Sequence, residues 1–60
     1  MQKDDTAPQR VLVEEDDVRL ARILFDLAHE LGYRCLVAHD ARGGCELAAQ
    51  YVPDAVLLDI

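Results

Sequence analysis

Sixty residues allow at most one small domain, and a chain of this length buries only about 60% of the surface its unfolded form exposes. Twelve acidic against six basic residues give a formal charge of -6, which disfavours direct nucleic-acid binding, because that needs a basic footprint. No stretch approaches the ~20 apolar residues that span a bilayer, and the polar start Met1-Gln2-Lys3-Asp4-Asp5-Thr6-Ala7-Pro8 lacks the apolar centre of a signal peptide, so a soluble, cytoplasmic protein is expected.

Residues 1–9 read as a mobile polar leader around Pro8. Arg10 to Val13 reads as a short strand whose Val-Leu-Val run lacks alternation, as expected when both faces are covered. The acidic group Glu14-Glu15-Asp16-Asp17 follows directly, and Asp16 or Asp17 can cap the next helix. Leu20, Ile23, Leu24, Leu27, Ala28 and Leu31 recur at helical spacing and predict one apolar stripe. Gly32 suits a left-handed helix end. His29 reads as an exposed helix residue, with no second His or Cys at ligand spacing.

Arg34 to Ala38 reads as a second strand. Asp40 is the expected N-cap of a second helix over about 41–51, with Cys45, Leu47, Ala48 and Tyr51 as its apolar positions. Gly43 and Gly44 each cost about 1 kcal/mol relative to Ala in a helix interior, so this helix is expected to fray at its start or to begin late. Pro53 ends it, Asp54 is a turn residue, and Ala55 to Ile60 reads as a third buried strand. Cys35 and Cys45 form neither a CxxC nor a zinc-ligand pattern and read as small apolar residues.

The order strand-helix-strand-helix-strand with short connections predicts an α/β fold with right-handed parallel crossovers. Such doubly wound sheets bind ligands beyond the carboxyl ends of their strands. Both acidic features, the group after the first strand and Asp59, fall at such ends. If the strands are parallel neighbours, the carboxylates converge, can hold a divalent cation and present Asp59 as a nucleophile. Without a cation they repel, and at least one pKa should rise.

Four pieces in order carry a resemblance: Val11-Leu12-Val13-Glu14-Glu15-Asp16-Asp17, Leu31-Gly32-Tyr33, Ala38-His39-Asp40, and Pro53-Asp54-Ala55-Val56-Leu57-Leu58-Asp59-Ile60. Over residues 10–60 the chain resembles the receiver domain of two-component response regulators, in its N-terminal half. The resemblance implies a flavodoxin-like doubly wound sheet, truncated here. It implies Mg2+ at the acidic pair after the first strand. Aligned on the strand, the pair falls on Glu15 and Asp16, and shifted by one residue it falls on Asp16 and Asp17. It implies that Asp59 is the phosphoacceptor and a third metal ligand, receiving a phosphoryl group from a histidine kinase or phosphotransfer protein in a phosphorelay. Such a domain is not an enzyme beyond self-catalysed phosphoryl transfer and slow dephosphorylation.

Receivers continue past the phosphoacceptor with a Met-Pro-like turn, further strands and helices, a hydroxyl residue and a lysine that contact the phosphoryl group. The chain ends before these, and its start near Met1 is that of an N-terminal receiver. An unpaired apolar edge invites association, so the 60-residue chain is expected to fold poorly as a monomer or to self-associate through the exposed sheet edge. The rival reading is a truncated or degenerate receiver that only binds a partner and is not phosphorylated. A more distant rival is a metal-dependent phosphohydrolase, whose spacing of two acidic residues Glu15 and Asp17 imitate.

Overall fold

The computed structural model describes residues 9–59. They form β1 (Arg10–Glu14), α1 (Val18–Glu30), β2 (Arg34–Ala38), α2 (Ala41–Tyr51) and β3 (Ala55–Leu58). The leader expected over residues 1–9 lies outside the described residues except for Gln9, and so does Ile60. Among the described residues no helix is long and apolar enough to cross a membrane.

The three strands are parallel, in the order β2-β1-β3. β1 pairs with β2 from Arg10↔Arg34 to Glu14↔Ala38 and with β3 from Val11↔Ala55 to Glu14↔Leu58. β1 therefore runs one residue beyond its expected end at Val13. The chain adds β2 on one side of β1 and then crosses to add β3 on the other. Right-handed crossovers in opposite directions place their helices on opposite faces, and the alternating side chains of β2 show it. Val37 and His39 line the α1 side with Ala21 and Phe25, whereas Leu36 lines the α2 side with Tyr51.

Each helix is stopped and started by the residues that its sequence offers. The Asp17 carboxylate accepts from the Arg19 and Leu20 N–H groups at 2.9 and 3.2 Å, so Asp17 rather than Asp16 is the cap. At the other end of α1, Gly32 takes φ +87°, its N–H donates to His29 O and that of Tyr33 to Ala28 O. This paired bonding past a left-handed glycine satisfies the last carbonyls of the helix. The Asp40 carboxylate accepts from Gly43 N–H at 2.7 Å, and α2 begins at Ala41 without the delay that its two glycines led us to expect. The Asp40 cap supports that start, and Gly44 is the buried residue of α2, where a Cβ would make ordinary van der Waals contact with Ala38 and Glu14 at 3.8 Å. The glycine is where the helix closes on the sheet.

The core is small. Leu12 and Val13 of central β1 are each 2% exposed, joined by Ala21, Ala28 and Ala38. Two sequence expectations of burial are corrected. The α1 stripe turns only its alanine side inward: Ala21 and Ala28 are buried, Leu24 and Phe25 half-buried, while Leu20, Ile23, Leu27 and Leu31 stay exposed. β3, read as a buried strand, has Val56, Leu57 and Leu58 about half exposed, because it packs against β1 alone and no described helix covers it. Cys45 faces solvent rather than the core. Cys35 is half-buried and free, and burial raises its thiol pKa, which suits a packing residue rather than a reactive one.

At the amino end of the sheet, Arg10 N–H donates to Asp54 Oδ2 at 2.7 Å, Asp54 N–H donates back to Arg10 O at 2.8 Å, and the Arg10 guanidinium donates to Tyr51 O at 2.6 Å. Asp54 is thus a turn residue, at the end of the sheet opposite Asp59. Just before it, Val52 sits in the left-handed region at φ 47° with its side chain 72% exposed. A β-branched residue there is strained by about 1–3 kcal/mol, and little packing is at stake. Val52→Asn is expected to raise stability by about 1 kcal/mol, read as a higher denaturant midpoint at unchanged slope. A lower midpoint would show that the Val52 side chain contributes more than its backbone costs.

Candidate metal site

The site stands where the strand order reverses, beyond the carboxyl ends of β1 and β3. Asp59 N–H donates to Glu14 O at 3.1 Å, one step past the end of the β1–β3 ladder. That bond seats Asp59 beside the residue that follows β1. On the other side, Glu15 N–H donates to Ala38 O at 2.9 Å, which ties Glu15 to the end of β2. Glu15, Asp16 and Asp59 each bring one carboxylate oxygen within 4.8 Å of the others. Asp16 and Asp59 are exposed, while Glu15 is buried, 5% exposed.

Burial is the main reason that the Glu15 carboxyl titrates above its ordinary value of 4.5. The hydrogen bond and the charge of Asp59 add to the rise, as does the charge of Asp16, while a hydrogen bond from Asp17 N–H opposes it. This is the strain anticipated for clustered carboxylates: two of them stabilise the third in its protonated form. A cation that enters favours the ionised form and so opposes this rise.

The structure brings together the three residues singled out from sequence, Glu15, Asp16 and Asp59. It assigns Asp17 to the helix cap, which leaves the one-residue shift of the acidic pair without its second member. Glu14 belongs to β1 and approaches Gly44 of α2. The carboxylates open on a cleft of about 420 Å³ lined by Glu14, Asp16, His39, Asp40 and Asp59. His39 had no role in the sequence reading. Its Nδ1 lies 3.1 Å from Glu15 O, a contact set by the β1–β2 register that no local motif announces.

No family model, curated protein or solved structure matches the chain. What the site can do follows from its donors. Three carboxylates form an all-oxygen set suited to a hard cation such as Mg2+, Ca2+ or Mn2+ rather than to a soft metal.

Proposed function

We propose that this chain is a receiver-type phosphoacceptor, with the doubly wound, flavodoxin-like sheet order of that family. Asp59 accepts a phosphoryl group from a phosphohistidine on a histidine kinase or phosphotransfer protein, and Glu15, Asp16 and Asp59 hold Mg2+. The observation that carries the reading is the convergence of these three carboxylates at the switch in strand order, the place where doubly wound sheets bind ligands.

The residues fit the ion. Mg2+ takes oxygens at about 2.0–2.1 Å, so oxygens on opposite sides of it stand about 4.2 Å apart. The three ligand atoms already lie within 4.8 Å of one another, and one or two carboxylates with waters and phosphate oxygens complete such a sphere. When bound, the cation neutralises charge on the phosphoryl oxygens, without which a cluster of carboxylates repels an anionic donor.

The chain's own part is positioning and attack. Asp59 is exposed, so a donor can reach it, and its backbone is fixed by the bond to Glu14 O. Its carboxylate oxygen attacks phosphorus in line, the P–N bond to the donor imidazole breaks with its electron pair going to nitrogen, and an aspartyl phosphate forms. A proton on Glu15 would hydrogen-bond Asp59 and compete with this attack.

A second reading is favoured by one observation: the uncovered apolar strand β3 suits a module that only binds a partner. The phosphohydrolase built on Glu15 and Asp17 is disfavoured, because the Asp17 carboxylate is occupied in capping α1. Incubation with a small phosphodonor and Mg2+, followed by intact-mass measurement, separates the first two. The expected result is the gain of one hydroxylamine-labile phosphoryl group on Asp59. No gain in folded, Mg2+-loaded protein favours the binding module.

A further inference from the structure

The geometry points to His39 as a positioning residue for the cation site, an inference that rests on the phosphoacceptor reading. The last residue of β2 and the one that follows it grip the residue at the centre of the site. Ala38 O accepts from Glu15 N–H at 2.9 Å, and Glu15 O lies 3.1 Å from His39 Nδ1. A backbone carbonyl only accepts, so Nδ1 carries the proton in this contact. Both polar groups of Glu15's main chain are thereby held by Ala38 and His39, at and just past the end of β2.

This matters because the β1–β2 ladder stops at Glu14↔Ala38, while the capped helix resumes only at Asp17. Glu15 and Asp16, two of the three candidate ligands, lie in that gap. The third, Asp59, is anchored separately through Glu14 O. The relative placement of the Glu15 and Asp59 carboxylates thus depends on what fixes the Glu15 peptide, and the His39 ring fixes its carbonyl.

The ring is exposed, and its bond to Glu15 O is what orients it. It lines the acidic cleft on one side and, on the other, an apolar cavity beneath α1 with Val18, Ala21, Phe25 and Val37. Without the Nδ1 donor, the Glu15 carbonyl turns to water and the peptide is free to rotate, which spreads the ligand set rather than removing a member of it.

The test compares His39→Leu, which keeps a similar apolar volume but has no donor, with His39→Asn, whose side-chain amide places an N–H near the Nδ1 position. Mn2+ and Mg2+ affinities are measured by calorimetry on the full chain, with circular dichroism as the check on folding. Partners that orient ligands without touching the metal are worth about 10–100-fold in affinity. The expected result is a loss of about tenfold in His39→Leu, most of it recovered in His39→Asn. In the metal-free protein at neutral pH, ring 15N shifts should report the Nδ1-protonated tautomer, a readout that needs no variant to fold. Unchanged affinity in His39→Leu, equal losses in both variants, or an Nε2-protonated ring overturns the inference while leaving the phosphoacceptor reading intact. Failure of the wild-type chain to bind either cation overturns both.

Discussion

Asp59→Asn is expected to abolish phosphoryl uptake, because an amide offers no anionic oxygen to attack phosphorus. The fold should survive, since the Asp59 side chain is exposed and its backbone bond to Glu14 O is untouched. Asp16→Asn is expected to act differently, lowering Mg2+ affinity at least ~100-fold, beyond the cost of losing an outer-shell partner, with uptake partly restored at high Mg2+. Glu15→Gln should also weaken binding and should in addition change its pH dependence. Burial, then Asp59, holds the Glu15 pKa above 4.5, and a cation competes with protonation of that carboxyl. Mg2+ affinity in the wild type should therefore climb as pH rises through the raised value and level off above it. Metal-free stability should run the opposite way. A carboxyl whose folded pKa is raised binds more protons folded than unfolded, so its contribution is full below 4.5 and is lost as pH rises through the folded value. Calorimetry in buffers of different ionisation heat counts the proton released on binding, and chemical denaturation across pH reads the stability slope. Release of no proton, with an affinity flat above pH 4.5, would sink the account of Glu15.

The contrast between Asp59 and His39 shows what a sequence of this kind discloses. Asp59, Glu15 and Asp16 were legible because each follows an apolar run that could only be a strand, and parallel strands gather their carboxyl ends at one edge. The bounds of β2 and α2 were legible for local reasons too: Gly32 before one, Asp40 and Pro53 around the other. His39 was not, because its partner is 24 residues away and is chosen by register. Gly44 misled for the same reason. Its helix cost is a local property, whereas its burial against the sheet beside Ala38 belongs to the packing. β3 was legible in part: it was read as a buried strand, but its unpaired apolar edge was expected. Its run Ala55-Val56-Leu57-Leu58 is as apolar as β1, yet apolarity states what a strand needs covered, and no described element covers it.

That difference between β1 and β3 sets the other large effect. Leu12→Ala is expected to unfold most of the chain. Leu12 is 2% exposed on the central strand, between Leu36 and Val56, and truncating such a leucine costs about 2–5 kcal/mol. At about 0.05–0.15 kcal/mol per residue, a domain of this size has about 3–9 kcal/mol in total, so the loss consumes much or all of it. Leu57→Ala, in the equally apolar but half-exposed edge strand, removes contacts on a side chain already 49% in solvent and should cost about 1 kcal/mol. Thermal unfolding of the two variants, followed by far-ultraviolet circular dichroism at low and high protein concentration, measures both. In dilute protein Leu12→Ala should lose its transition while Leu57→Ala keeps one near that of the wild type. A wild-type midpoint that rises with concentration, with Leu57→Ala abolishing the rise, would show that a second copy covers β3. If Leu57→Ala proves as damaging as Leu12→Ala even when dilute, β3 is buried in solution, and the view of it as an open edge is wrong.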